Sequence, residues 1–193
     1  MLRKLALVGM FLLIGTTLFA VDAFTVDPVH SSIAFSVKHM VVSTVHGNFR
    51  DFSGTINYDP NDVTKSSIEV HIKADSINTG SENRDKHLRS PDFLDVEKFP
   101  ELTFKSTQIE KSGDGYIAKG PLTIHGVSKD VAIPFTVGGT IKDAKGNTKL
   151  GTEASLTISR KDFGLTWNRA VEGGGVLVGD DVKIELSVEG TRP

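Results

Sequence analysis

The sequence of 193 residues contains no cysteine. That excludes a disulfide framework, a thiolate metal site and a cysteine nucleophile. The fold must be held by its core alone, which is feasible at this length. Charge of one sign is also missing. With 22 Lys and Arg against 24 Asp and Glu, the net charge is −2, and no basic footprint points to a nucleic acid. Tryptophan (1) and tyrosine (2) are scarce, whereas phenylalanine (11) is not. Phe brings apolar area without a polar handle, which suits an apolar interior. Helical periodicity is nearly absent, and past the first residues no apolar run is long enough to cross a membrane.

The first residues are different. Arg3 and Lys4 precede an almost unbroken apolar run from Leu5 to Phe19, and small residues follow at Ala20 and Ala23. This is the pattern of a secretory signal peptide. The run is shorter than the ~20 residues of a membrane span, and no cysteine follows it to carry a lipid. The expected organisation is a signal peptide over 1–23 and one domain over 24–193. Cleavage after Ala20 or Ala23 fits, with Val21 and Ala23 matching the small-residue pattern slightly better. The product is expected to be periplasmic, with no stable membrane span after cleavage.

The rest of the chain reads as strands. Ile33, Phe35 and Val37 alternate with polar or small neighbours, as do Ile68, Val70 and Ile72, Leu122 and Ile124, Val131 to Val137, Ala154 to Ile158, and Val182 to Val188. Turn clusters separate them at Asp59–Asp62, Ser112–Gly115 and Asp143–Asn147. Pro134 marks its strand as an edge or as bulged. His39–Val42 continues the first strand or turns into a short helix. Arg160–Gly175 breaks the alternation and ends in three glycines that read as a flexible loop. About eight strands with one apolar and one wet face make a closed antiparallel barrel or a two-sheet sandwich. Eight is also the number at which a barrel interior can hold one small ligand.

One stretch departs from this pattern. Ser81 and Glu82 can open a helix, and Asn83–Arg89 is charged, with Leu88 its only apolar residue. Pro91 ends the helix near Ser90. Phe93, Leu94, Val96 and Phe99 then form an apolar knot. A polar helix and a greasy knot between two strands read as a cover over the end of an apolar interior.

Five blocks in order make the chain resemble a known family. They are Asp27–His39, Val45–Phe49 with Phe52–Gly54, Asn83–Leu88 with Asp92–Phe93 and Phe99–Pro100, Gly120–Val127, and Arg160–Gly164. The chain resembles the YceI-like family of exported, lipocalin-like polyisoprenoid-binding proteins, with no departure in these blocks. The resemblance implies an all-β fold, an antiparallel eight-stranded barrel with a short helix between strands. It also implies a long apolar tunnel, an isoprenoid or other long-chain lipid lying in it, and often a homodimer.

The residues assigned to such a ligand are Phe35, Val37, Phe49, Phe52, Leu88, Phe93, Phe99, Phe104, Phe135, Phe163 and Trp167 on the apolar side, with Arg84 and His87 for a head group. Arg84 and His87 are neighbours on one helix face, and Arg suits phosphate; pairing of Arg84 or Asp85 within the helix region is the competing expectation. Six histidines raise the question of metal, but none has helical HxxxH spacing and no carboxylate pattern completes a site, so neither metal nor cofactor is assigned. His71 and His125 are expected on the wet face of strands. Asp27, His30 and Ser31 form a nucleophile set by composition only, because neighbours on a strand point to opposite sides. The expected function is non-enzymatic binding of an apolar lipid. A structural β-module with a filled core, or an enzyme acting on a lipid, are the alternatives.

Overall fold

A computed structural model describes residues 21–170 and 175–193. Residues 1–20, which hold the leader apart from its last three positions, and Gly173 and Gly174 of the glycine run lie outside the described residues. Among the described residues twelve strands run in order: β1 Asp22–Val26, β2 Ser32–His39, β3 Ser43–Phe49, β4 Phe52–Tyr58, β5 Ser67–Lys73, β6 Ile77–Asn78, β7 Glu101–Lys105, β8 Gln108–Ser112, β9 Gly115–Ile124, β10 Val127–Lys142, β11 Thr148–Ser159 and β12 Val178–Arg192. Among the described residues one α-helix, α1, spans Glu82–Arg89.

Every pairing is antiparallel, and the early strands are halves of longer ones. β1 and β2 both pair with β12, in the registers Val26↔Gly190 and Ser32↔Ser187. They are one long strand interrupted by a bulge at residues 27–31. β3 with β4, β5 with β6, and β7 with β8 continue one another in the same way. The twelve segments therefore make eight long strands, and β12 against β1 closes them into a barrel. Closure removes the exposed edges that a sheet otherwise has to protect.

Pro134 lies where β10 is locally an edge, although the strand as a whole is internal to the barrel. β10 pairs with β9 from Val127 to Phe135 and with β11 from Phe135 to Lys142. Pro134 is the last residue with β9 as its sole strand neighbour, so its missing N–H falls beside an open flank. The register shift of this strand lies further on, between Val137 and Gly139. The stretch after β2 is a turn, not a helix, and Met40 and Val41 in it have positive φ. His125 also has positive φ, as does Gly126, so His125 belongs to the β9–β10 turn rather than to a strand face. Gly126 is required there twice over: its φ is +72°, and a Cβ would lie 2.7 Å from Phe99 Cδ1.

The two ends of the barrel are built differently. At one end Phe24, Ile56 and Leu150 are almost completely buried in a compact cluster flanked by Tyr58, Val137 and Val188. Phe24 meets Tyr58 edge-on at 6.3 Å, and the Arg192 guanidinium lies over its ring. At the other end the ladder parts in two places. β6 turns away from β7, and α1 with the following knot fills the gap. The first half of β10 has no pairing with the last residues of β11, and a 3-10 turn at Arg160–Phe163 sits there. Phe163, 1% exposed, is the plug.

Candidate functional site

Inward-facing residues of all eight strands enclose a cavity of about 250 Å³. Its wall comes from 34 residues, of which Thr152 and Arg160 alone are polar. Toward the compact end it stops at Val26, Ile56 and Val188. Toward the other end Leu88 of α1, Phe93 and Leu94 of the knot, and Leu165 after the 3-10 turn form its roof. Val37, Val178 and Leu165 on this part of the wall are partly exposed, and the roof here is helix and loop rather than a packed apolar cluster, so the mouth lies at the helix end.

Nine of the residues assigned from sequence border this cavity: Phe35, Val37, Phe49, Phe52, Leu88, Phe93, Phe104, Phe135 and Phe163. Phe35 and Phe49 meet at 5.8 Å. Phe35 lies across the neighbouring strand at Gly47, where a Cβ would sit 2.8 Å from its Cε1 and 2.9 Å from Thr79 Cγ2. Glycine at this position is what lets the ring fold flat against the wall.

Four assigned residues stand apart from the cavity. Phe99 packs edge-on against His125 at 4.7 Å. Trp167 and His87 meet at 4.8 Å and both touch Phe93, so they lie above the roof. His87 Nε2 is 2.9 Å from Asp92 Oδ2. Arg84 donates from Nε to Thr79 Oγ1 at 2.7 Å and from Nη2 to Thr79 O at 2.8 Å. The buried Asp85 carboxylate accepts from Thr79 N and Thr79 Oγ1, and Arg89 donates to the carbonyls of Asp75 and Ile77. The guanidinium of Arg84 is thus engaged in holding the helix to Thr79, just after β6, the competing expectation. Charged residues pin this helix because its single Leu gives it too little apolar area to dock by burial.

The cavity wall includes residues that the candidate list passed over. Val182, Ile184, Leu186 and Val188 of β12 and Leu156 and Ile158 of β11 face inward with the phenylalanines. Their signal was the same alternation; a list weighted toward aromatics missed them. Arg160 is different, a charge 3% exposed with no apolar signature. Its Nε donates to Gly179 O at 2.9 Å, and its Nη1 to Trp167 O at 2.9 Å and to Leu165 O. Nη2 reaches Asp180 Oδ1 at 3.2 Å and Val178 O at 3.4 Å. Burial lowers its pKa and the Asp180 carboxylate opposes the shift. The guanidinium is thus spent on the protein itself, Nη1 on the loop that follows and Nε and Nη2 on the start of β12. The Thr152 hydroxyl likewise donates to Val188 O.

The bulge at 27–31 gathers groups that sequence could not bring together. Asp27 Oδ2 lies 3.0 Å from His30 Nδ1, because this segment is not strand and its side chains need not alternate. Glu189 of β12 joins them, and these three are the ligand-type trio found among the described residues. Lys149 already stands there, with Nζ 3.0 Å from Glu189 Oε1 and 3.4 Å from Asp27 Oδ2. The hydrogen bond from His30, opposed by burial and aided by Val29 N and Lys149, lowers the Asp27 pKa to about 2. The Ser31 hydroxyl accepts from Glu189 N at 2.9 Å and donates to Glu189 O at 3.4 Å. The arrangement is an ion-paired clasp between β11, β12 and the bulge, and Ser31 is bound to backbone rather than poised beside His30. His71 lies on the outer face between Glu69 and Glu101.

Comparison with known proteins agrees with the geometry. The profile of the YceI-like domain matches residues 24–190. A UPF0312 protein of Pectobacterium atrosepticum is 37% identical over 191 residues, covering 99% of this chain and 96% of its own. The crystal structure of the Campylobacter jejuni YCEI protein is 34% identical with a TM-score of 0.70, over 81% of this chain and 90% of that one. A polyisoprenoid binding domain from Saccharophagus degradans shares the fold at a TM-score of 0.63 and 15% identity, over 90% of this chain and 99% of its own.

Proposed function

This chain belongs to the family of YceI-like domains, and on that footing we propose that it binds and carries a long-chain apolar lipid, an isoprenoid above others, outside the cytoplasm and without chemical change to it. The observation that carries the reading is the cavity: about 250 Å³ bounded almost wholly by hydrocarbon, with its two polar side chains satisfied by the protein. An empty space of this kind stays dry and favours an apolar occupant. A filled-core module has no use for it. The name of the Saccharophagus degradans domain supports the isoprenoid class.

Burial of hydrocarbon is worth about 0.8 kcal/mol per CH₂, so a five-carbon unit contributes roughly 4 kcal/mol. Three units give about 12 kcal/mol gross, against an association cost of 4 or more. That reaches about micromolar affinity without a polar contact. A head group would then stay at the mouth, because the wall offers it no free donor or acceptor. Arg84 is occupied by Thr79, so recognition rests on the chain and not on the head.

Export follows from the leader pattern. Asp22 and Ala23 pair with Tyr58 and Asn57 in β1, and Asp22 Oδ1 accepts from Arg192 Nη1 at 2.6 Å. Cleavage after Ala20 leaves this strand whole, whereas cleavage after Ala23 removes its first two residues. A homodimer belongs to the same reading, with light scattering on the eluting protein as its check. Organic extraction of protein purified from the exported fraction, followed by mass spectrometry, tests the central claim. A prenyl or other long-chain compound in stoichiometric amount is expected. Its absence, together with failure to take up an added prenol, would sink the carrier reading.

A further inference from the structure

The tip of the β2–β3 hairpin is built against the usual rules for a turn in water. Turns that need positive φ draw on Asn, Asp or Gly. Here Met40 (φ +51°) and Val41 (φ +65°) hold those positions, and Val42 follows. A β-branched residue at positive φ is a genuine outlier. The side chains gain nothing by burial within the chain, since Val41 is 71% and Val42 85% exposed, with Met40 and Val176 beside them also exposed. Met40 N donates to Leu177 O at 2.9 Å, which joins this tip to the loop carrying Val176. Two exposed cations flank the group, Lys38 on β2 and Arg169, whose carbonyl accepts from Leu177 N.

The tip stands three residues beyond Val37, which lines the cavity, at the end where the mouth lies. We propose that this hairpin tip is a membrane-docking element, and that its partner is the surface of a bilayer carrying anionic lipids. The proposal rests on the carrier reading above. Met40, Val41, Val42 and Val176 enter the boundary between head groups and acyl chains, while Lys38 and Arg169 face the phosphates. The mouth is then held against the phase from which a hydrocarbon comes, so the chain passes from bilayer to barrel without crossing water. Four side chains fall far short of the roughly 20 residues a side that a stable protein dimer uses, but they suit shallow, reversible insertion.

Flotation of the purified mature protein with phosphatidylethanolamine–phosphatidylglycerol vesicles is the test, run beside uptake of the apolar fluorophore N-phenylnaphthylamine from solution. The wild type is expected to float, and salt to weaken it. Val41→Ser with Val42→Ser should lower the vesicle partition about tenfold or more, with fluorophore uptake unchanged. Val41→Gly, which suits the positive φ, gives a variant that folds at least as well and still loses part of the partition. Ile141→Ser, exposed away from the mouth, should change nothing. A wild type that stays with the soluble fraction, or tip variants that float equally well, overturn the docking proposal even where the fluorophore binds. A concentration-dependent dimer lost in the same variants, without flotation, overturns it in favour of a second copy of this chain. Fluorophore uptake absent throughout, with tip-dependent flotation intact, removes the carrier reading and leaves the docking.

Discussion

At the compact end of the barrel Phe24, Ile56 and Leu150 fill the interior, and β1 pairs with both β4 and β12. At the helix end the same strands part twice, and the gaps are covered by α1, the knot and the turn at Arg160–Phe163. The covers are held by different forces. The compact end rests on apolar burial. The helix rests on Thr79, Asp75 and Ile77 reached by Asp85, Arg84 and Arg89, and the loop on one buried Arg160. Burial is spread over many contacts and yields cooperatively, whereas a few hydrogen bonds yield locally. The proposed carrier would use this asymmetry, with one end that stays closed and one that can open without unfolding the rest.

The largest expected effect tests the compact end. Phe24→Ala removes a ring that is 1% exposed and should cost about 3–5 kcal/mol, measured as a fall in the denaturant midpoint at unchanged slope. Leu88→Ala in the roof is partly exposed already and should cost about 1 kcal/mol, yet speed the release of a bound fluorophore more than Phe24→Ala does. Equal losses of stability in the two variants would erase the distinction between the ends.

Next in size is Gly47→Val. The new side chain must displace Phe35 or Thr79, and Phe35 has the cavity to move into. Overpacking of this kind costs about 1–3 kcal/mol. The expected signature is a loss of the longest ligands first, read as affinity across prenols of increasing length. A uniform loss at all lengths would mean that Phe35 moved elsewhere.

The barrel was legible because alternation reports one buried face per strand, and eight such segments constrain closure. The cover was legible too: the charged run before Pro91 cannot bury itself. What stayed hidden was hidden for physical reasons. The halves of the long strands could not be joined, because bulges at 27–31 and at Arg50 and Asp51 look like loops in sequence. Arg160 could not be found, because a charge is buried only when carbonyls 5 to 19 residues away converge on it. Arg84 and His87 suggested a head-group site by type and spacing, yet their partners Thr79 and Asp92 are fixed by the folded chain.

A smaller effect tests the roof. Trp167, the single tryptophan, packs edge-on against His87 and tilted against Phe93 above the cavity. Its emission should shift when a ligand fills the space under Phe93. His87→Ala removes edge-on contacts with Trp167 and Phe93, together worth about 1 kcal/mol, and should raise the off-rate with little change in melting temperature. An emission spectrum indifferent to ligand would place the bound chain deeper, away from the roof.

The smallest effect lies on the outside of the compact half, in the clasp of Asp27, His30, Lys149 and Glu189. The Asp27 carboxyl ordinarily titrates at 3.8 and in the fold titrates at about 2, chiefly because of the hydrogen bond from His30. A group whose folded pKa is depressed stabilises the fold above its unfolded pKa, and that contribution disappears as pH falls through the folded value. Asp27→Asn removes the charge at every pH. Wild type should therefore exceed the variant in denaturant midpoint above about pH 5, and the gap should close between about pH 4 and 2. Salt should shrink the gap as well, because the clasp is only partly buried. A gap that persists unchanged to pH 2 would show that Asp27 contributes through its hydrogen bonds to the bulge alone and not through its charge.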